Sequence, residues 1–513
     1  MNVSTRKIFR RTLVSMALLG FPVGSHAAAP PSNAVCESRS NGSAAKLVEC
    51  IRKGALWAHL VDFQHIADAN PGPDGHASRD TGGTGYAASI DYVAGLMTKA
   101  GYRVTIQPYN YADFSLAVPP TFSIVGQTNP PSTDWYVARL SGQGVVTAPV
   151  EPAGSGCAPG DYARFSAGRI ALVQRGACDF DTQVANAQGA GAAGVIIFNS
   201  GGPAYSNRKG RGLQGEAFQA YLGKQAAIPV VGVASHALGQ SLTRQYLAGG
   251  APIVRLDVQT RKFPNRVDYN LIADSRFGDP NHVVVVEAHL DSIYGAGMLD
   301  NASGSATILE VALKIAKTRT RNQLRFIWFG GEEINLLGSA YYTKSLSPSE
   351  LGRIVFDIDS DVTASPNYDI SIADPQFATN VKHFPPNVVP ASMLGGKYFS
   401  NYFSSVGLPS RPASFGNDGT DSNSFSLVGV PNTGILTQQD CCKTRAEVKI
   451  WGGSPGNYEG DIPSFDGGCV DNPHLWCDNL SNNDPDVLEF ISKGLAYVTF
   501  ELANDVSLNP SGK

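Results

Sequence analysis

The chain has 513 residues, 8 cysteines and a formal net charge of −4 at pH 7. That length exceeds one ordinary hydrophobic core, so two domains are expected. With 42% hydrophobic and 16% charged residues it is not a disordered chain, and its mildly acidic balance lacks the basic footprint of a nucleic-acid binder.

Residues 1–27 read as a targeting segment. Arg6, Lys7, Arg10 and Arg11 precede an apolar run over 12–23, and Ser25-His26-Ala27 gives a small-x-small cleavage site. The run is short for a bilayer span, so no lasting membrane anchor is expected after cleavage. An uncleaved anchor is the alternative. Arg10-Arg11 permits a twin-arginine reading, but Phe9 and Thr12 match it poorly and Sec-type export is preferred. The mature protein is then secreted or periplasmic, in an oxidising compartment. All the cysteines follow the signal, in sequence-local pairs. The expected disulfides are Cys36–Cys50, Cys157–Cys178 and Cys469–Cys477, which leaves Cys441 and Cys442 adjacent. No C-x-x-C pair exists, which argues against a four-cysteine zinc site.

Apolar spacing through Leu47, Val48, Ile51, Leu56, Leu60, Phe63 and Ile66 predicts a helix over 44–66. A Pro/Gly/Asp-rich loop over 70–85 follows, then a helix over 87–100 with Gly101 as its C-cap, then an alternating strand over 102–106. Prolines interrupt residues 115–160 repeatedly and mark a linker or domain change. Strands are expected over 169–173, 194–198 and 228–233, with a helix over 182–191. From Asn270 the pattern changes. Val283-Val284-Val285-Val286 reads as a strand buried on both faces. A helix over 303–316, a strand over 324–329, a helix over 336–345, a strand near 354–358 and a final helix over 487–503 follow. This alternation argues for an α/β sheet with helices on both sides.

The chemistry sits at the ends of those strands. His289 and Asp291 close the first, where ligands collect in open α/β sheets. Asp300 lies in the loop before the next helix, and Glu332-Glu333 end the next strand. Each has a plain reading: a structural histidine, a helix N-cap, a solvated acid pair. Clustered on successive strand ends, they supply an imidazole and several carboxylates, a ligand set that zinc accepts.

His289-Leu290-Asp291-Ser292, Leu299-Asp300-Asn301-Ala302-Ser303-Gly304 and Gly330-Gly331-Glu332-Glu333-Ile334-Asn335-Leu336-Leu337-Gly338-Ser339 together resemble the M28 family of co-catalytic zinc peptidases. Asp361 before Ser365-Pro366-Asn367, and His474 before Cys477-Asp478-Asn479-Leu480, resemble two further signatures of that family. The likeness covers 264–503 well and 44–110 loosely. It implies two zinc ions per chain bridged by Asp300. His289 and Asp361 would complete one metal site, and Glu333 and His474 the other. Glu332 would be the general base, and Asp291 would orient the His289 ring. Asp357, Asp359 and Asp361 alternate on one strand face; spacing to Ser365-Pro366-Asn367 selects Asp361, with Asp359 as runner-up and the remaining two read as solvated acids.

Two positions depart from the family pattern, Pro473 and Thr420; neither is a ligand or the base. Segment 138–258 resembles a protease-associated (PA) domain through Gly156-Cys157, Gly168-Arg169-Ile170-Ala171-Leu172-Val173 and Ala190-Gly191-Ala192-Ala193-Gly194-Val195. The implied architecture is a mixed, largely parallel α/β sheet of the zinc-exopeptidase type, split into 28–137 and 259–513 by a β-rich PA insertion that either shapes substrate access or is a spacer. Gly452-Gly453-Ser454-Pro455-Gly456 matches the nucleophile-elbow string, but no strand–helix context is expected around it. The resemblance implies a monomeric aminopeptidase acting on peptides with a free N-terminus. An M28-type carboxypeptidase, which needs a basic pocket that Lys397, Arg411, Lys443 and Arg445 would have to supply, is one alternative. A PA-domain peptide-binding protein with a vestigial peptidase core is another.

Overall fold

The computed structural model describes residues 31–508, apart from 73–74, 132–133, 202–216, 218–219, 221, 294, 378–385, 387, 414–418, 440 and 459–477. His474, Pro473 and the Cys469–Cys477 pair lie outside the described residues.

The chain enters through short helices and then the helices Lys53–Ala69 and Thr84–Ala100. The helix expected over 44–66 is in fact broken into Ala44–Val48 and Lys53–Ala69. The break carries Cys50, which is disulfide-bonded to Cys36. Gly101 adopts φ 94° and its N–H caps the carbonyls of Met97 and Thr98, a left-handed geometry open to glycine.

The strands in chain order are β1 (Arg103–Leu116), β2 (Thr121–Ile124), β3 (Gly144–Pro152), β4 (Ile170–Gln174), β5 (Gly194–Phe198), β6 (Val230–Ala234) and β7 (Ile253–Val258). They continue with β8 (Thr260–Asp274), β9 (Asp279–His289), β10 (Asn322–Phe329), β11 (Ile354–Ser360), β12 (Ser371–Ala373), β13 (Arg411–Ala413) and β14 (Asn432–Leu436). Eight of them form one mixed sheet in the order β1-β8-β10-β9-β11-β14-β12-β13. The central run β10-β9-β11-β14 is parallel, and β1 and β8 add antiparallel strands at one edge.

Helices cover both faces, as a doubly buried parallel sheet requires. One face packs Val284, Val286, Phe326, Trp328, Phe356 and Ile358 against the helices Lys53–Ala69, Thr84–Ala100, Ser303–Ile315 and Pro485–Asn504. The other packs Val283, Val285, Ile327 and Phe329 against Tyr342 and Phe425.

β2 to β7 form a separate six-stranded sheet, order β2-β7-β3-β4-β5-β6, with its own apolar clusters on its two sides. The Cys157–Cys178 disulfide closes a loop in this unit. The chain leaves the larger sheet on β1 and returns on β8, which are paired from Arg103↔Asp274 to Leu116↔Thr260. Exit and return therefore lie side by side, and the insertion does not disturb the sheet. β8 was not expected from the sequence. Its first half is polar, contains Pro264 and is largely exposed, so no buried alternation announces it. Ser454 follows the helix Arg445–Trp451 and two positive-φ glycines, not a strand, so the G-x-S-x-G string is no nucleophile elbow. Among the described residues no helix is long and apolar enough to cross a membrane.

Candidate metal centre

The carboxyl ends of β9, β10 and β11 converge on one edge. His289 is the last residue of β9 and only 1% exposed. Its Nε2 lies 3.0 Å from Asp300 Oδ1 and 3.4 Å from Asp361 Oδ1. His289, Asp300 and Asp361 each offer one ligand atom, all within 4.8 Å of one another, and His289, Glu332 and Glu333 form a second such group. The geometry brings six of the seven sequence-selected residues to one place and by itself does not separate Glu332 from Glu333. The seventh, His474, is outside the described residues.

The backbone around each group is fixed by side chains from its neighbours. Asp300 sits in the irregular turn Met298–Ala302. Its N–H donates to Asp478 Oδ2 at 3.0 Å, and the Leu299 N–H donates to Asp478 Oδ1 at 2.9 Å. Asn301 then ties this turn to β11. Its Nδ2 donates to Ser360 O at 3.0 Å, and its Oδ1 accepts from Val362 N at 3.2 Å and Gly304 N at 2.8 Å. A Cβ on Gly304 would stand 2.1 Å from Ser360 O, so only glycine permits this approach of helix to strand.

Asp291 is an organising group. Its carboxylate accepts Thr81 Oγ1 at 2.7 Å and the N–H groups of Glu332 and Glu333 at 3.3 and 3.4 Å. The His289 Nδ1 lies 3.1 Å from the Asp291 carbonyl oxygen and 3.6 Å from Asp291 Oδ1, so the backbone oxygen is its nearer partner.

Arg79, inside the segment read only as a loop, was missed. It is fully buried. Its guanidinium donates to the carbonyls of Leu290, Ala296 and Gly297 at 2.6, 2.7 and 2.6 Å. One side chain thus fixes both the turn after His289 and the approach to Asp300. A single arginine in a Gly/Asp-rich loop carries no periodic signal. Asp478, within the C-terminal motif, has a role that the sequence does not reveal: its carboxylate accepts both N–H groups of the Asp300 turn.

Burial and crowding set the protonation of the site. Burial pushes Glu333 well above the usual carboxylate range, and the charges of Asp300 and Glu332 add to it. Burial does the same to Glu332, helped by Asp421, Asp361 and Asp300 and opposed by His289. Asp300 is pushed up to about 6 by burial and by Asp361. Burial disfavours a charged His289, yet Glu332 and Asp361 overcome it and raise its pKa. So many acids around one imidazole form a pocket of excess negative potential.

Four buried atoms in it make no well-formed hydrogen bond among the described residues, the close His289–Asp300 approach included: His289 Nε2, Asp300 Oδ1, Glu333 Oε1 and Asp361 Oδ1. Such atoms are costly unless a cation satisfies them. One imidazole nitrogen and three carboxylate oxygens fit the donor chemistry of zinc.

The other strand acids are not solvated, contrary to expectation. Asp357 and Asp359 are 0% and 1% exposed because β11 is an interior strand of the sheet. Asp359, the alternative ligand, accepts Thr420 Oγ1 at 2.9 Å and belongs to neither ligand group. Thr420 thus has a buried structural partner.

Comparison with known proteins places this arrangement. Peptidase family M28 matches residues 270–499, and the PA domain matches residues 143–242. An aminopeptidase of Pseudomonas aeruginosa is 33% identical over 472 residues, covering 88% of this chain and 81% of that one. Leucine aminopeptidase 2 of Arthroderma otae is 28% identical over 458 residues, covering 88% and 84%. Among solved structures, an aminopeptidase from Aneurinibacillus sp. strain AM-1 superimposes with a TM-score of 0.68 at 21% identity, covering 90% of this chain and 96% of that one. A zinc aminopeptidase from Bacillus subtilis does so with 0.60 at 21%, covering 88% and 95%. The two structures share the fold. Motif order, strand-end geometry and the first of these relatives agree: the chain belongs to peptidase family M28 and carries a PA domain within it.

Proposed function

We propose that the chain is an exported zinc aminopeptidase that releases an apolar N-terminal residue from peptides. The observation that carries this reading is the set of four buried ligand atoms on one sheet edge that make no well-formed hydrogen bond among the described residues. The names of the relatives support it, one of them a leucine aminopeptidase. Two zinc ions, when bound, would polarise the scissile carbonyl and lower the pKa of a water between them.

The residues divide the remaining work. Asp300 would be the ligand shared by both ions; His289 and Asp361 would complete one site, and Glu333 and His474 the other. Glu332 is the general base. It takes the proton of the attacking water and returns it to the nitrogen of the leaving amine, so the peptide C–N bond breaks without a free amide anion. Asp291 and Arg79 hold the strand ends in register. The acid-rich edge attracts the substrate's free ammonium group.

Two disulfides and the basic, apolar segment 1–27 support export. Two of the four basic residues that a carboxypeptidase pocket would draw on are already engaged. Arg411 is ion-paired to Asp369 at 2.6 Å, and Lys443 Nζ donates to Tyr368 O at 2.5 Å. A panel of free and N-blocked peptides, assayed with and without chelator, tests the reading. Chelator-sensitive release of the first residue from free peptides alone is expected. Cleavage of N-blocked peptides would overturn it.

A further inference from the structure

A cleft of about 630 Å³ opens beside the site, and its walls include Thr81, Ser292, Ile334, Asp113, Arg139 and Arg266. The near wall is continuous with the catalytic edge. Ser292 follows Asp291, Ile334 follows Glu333, and Thr81 donates to the Asp291 carboxylate. Asp80 also lies on this wall, where its Oδ1 accepts Ser78 Oγ at 2.6 Å and Ser292 Oγ at 3.4 Å.

The far wall is the junction of the two domains. Asp113 stands on β1, Arg266 on β8, and Arg139 on the segment entering the inserted domain, where its N–H donates to Ala220 O at 2.8 Å. Asp113 lies between both guanidiniums, with Oδ1 3.1 Å from Arg139 Nη2 and Oδ2 3.2 Å from Arg266 Nε. One carboxylate between two guanidiniums leaves an excess positive charge. The Arg139 side chain is 8% exposed and also donates to Ala112 O, so it is committed to the junction. The Arg266 side chain keeps 39% exposure and lines the cleft. The cleft therefore adjoins the catalytic edge along its near wall and is basic at the inserted domain. That basic end matches a peptide whose N-terminus lies at the catalytic edge and whose leaving part carries a carboxylate.

We infer that this cleft receives the leaving part of the substrate and that Arg266, backed by Arg139, pairs with a carboxylate there. The carboxylate is either the C-terminus of a short peptide or an acidic side chain. The inference rests on the aminopeptidase reading above and deepens it. It also gives the inserted domain work at the site, since its first segment supplies one of the two cations. A charge-assisted pair at a partly exposed guanidinium discriminates by roughly tenfold.

The test uses three tripeptides with the same first residue: a free acid, its C-terminal amide, and an amide with glutamate in the third position. Release of the first residue is measured as kcat/KM with the wild type and with Arg266→Gln. The ratio of acid to amide is the readout, because a general loss of activity in the variant cancels from it. The wild type is expected to favour the free acid by roughly tenfold, chiefly through KM, and the ratio is expected to approach one in the variant. The glutamate amide identifies the source: cleavage like the acid means any carboxylate is accepted, and cleavage like the plain amide means the C-terminus alone is. A wild-type ratio near one, or a ratio unchanged in Arg266→Gln, overturns the inference. If the wild type releases no first residue from any of the three, the aminopeptidase reading fails instead, and the inference falls with it.

Discussion

Glu287 and Asp359 lie opposite each other on β9 and β11, each two residues before a member of the metal centre, His289 and Asp361. With Asp357 and Asp421 they form a second set of buried acids, none more than 1% exposed. Both carboxylate oxygens of Glu287, Asp357 and Asp421 lack a hydrogen-bond partner among the described residues. The two sets share burial, strands and sign of charge, yet they differ in what can neutralise them. The first contains an imidazole and places its ligand atoms within 4.8 Å of one another. The second contains no histidine and no such group. Burial pushes Glu287, Asp357 and Asp421 well above the usual carboxylate range, and Asp359 to about 7. A buried acid without a cation keeps its proton. One set is thus built for metal and the other for protons, and the difference lies in geometry that residue type alone does not reveal.

The sharpest way to break this contrast is to remove a ligand from the first set. Asp300→Ala should lose bound zinc and lower kcat/KM by about a thousandfold or more, read by metal analysis and peptide assay. His474→Ala should weaken one of two sites; two tightly held ions in that variant would refute its place as a ligand. Arg79→Met keeps the apolar stem but leaves three buried carbonyls without their donor. Because it shifts two ligand-bearing turns at once, it should lower kcat by about a hundredfold. Arg79→Lys should recover only part of that loss, since an ammonium cannot reproduce the planar fork.

Asp359→Asn probes the second set with the smallest effect. Asp359 binds its proton more tightly in the folded chain than in the unfolded one. Its contribution to stability is therefore full below its unfolded pKa of about 4 and is lost as pH rises through its folded value of about 7. The variant should remove that slope, gaining at most a few kcal/mol at neutral pH in thermal unfolding followed across this window. It should keep its zinc. Loss of metal in Asp359→Asn would instead make it the ligand and displace Asp361.

Much of this is legible in the sequence. Val283 to Val286 announce an interior strand because four β-branched residues in a row have no solvent face. His289 and Asp291 at its end, and Glu332-Glu333 after β10, then fall on the edge where α/β sheets bind ligands. The disulfides Cys36–Cys50 and Cys157–Cys178 followed from local pairing. What stayed hidden depends on contacts distant in sequence. Arg79 reaches residues more than 200 positions away. The burial of Asp357 and Asp359 follows from β14 covering the far side of β11, a pairing no periodicity encodes. β8 reads as polar because its first half extends beyond the sheet as a ribbon with β1.

The central claim is that Glu332 moves the proton while its neighbours hold two metals. Glu332→Gln tests it most directly, with zinc content and turnover measured on the same preparation. The account predicts two zinc ions per chain, as in the wild type, and turnover lower by about a thousandfold or more. Turnover near that of the wild type, or loss of zinc on substitution, would contradict it.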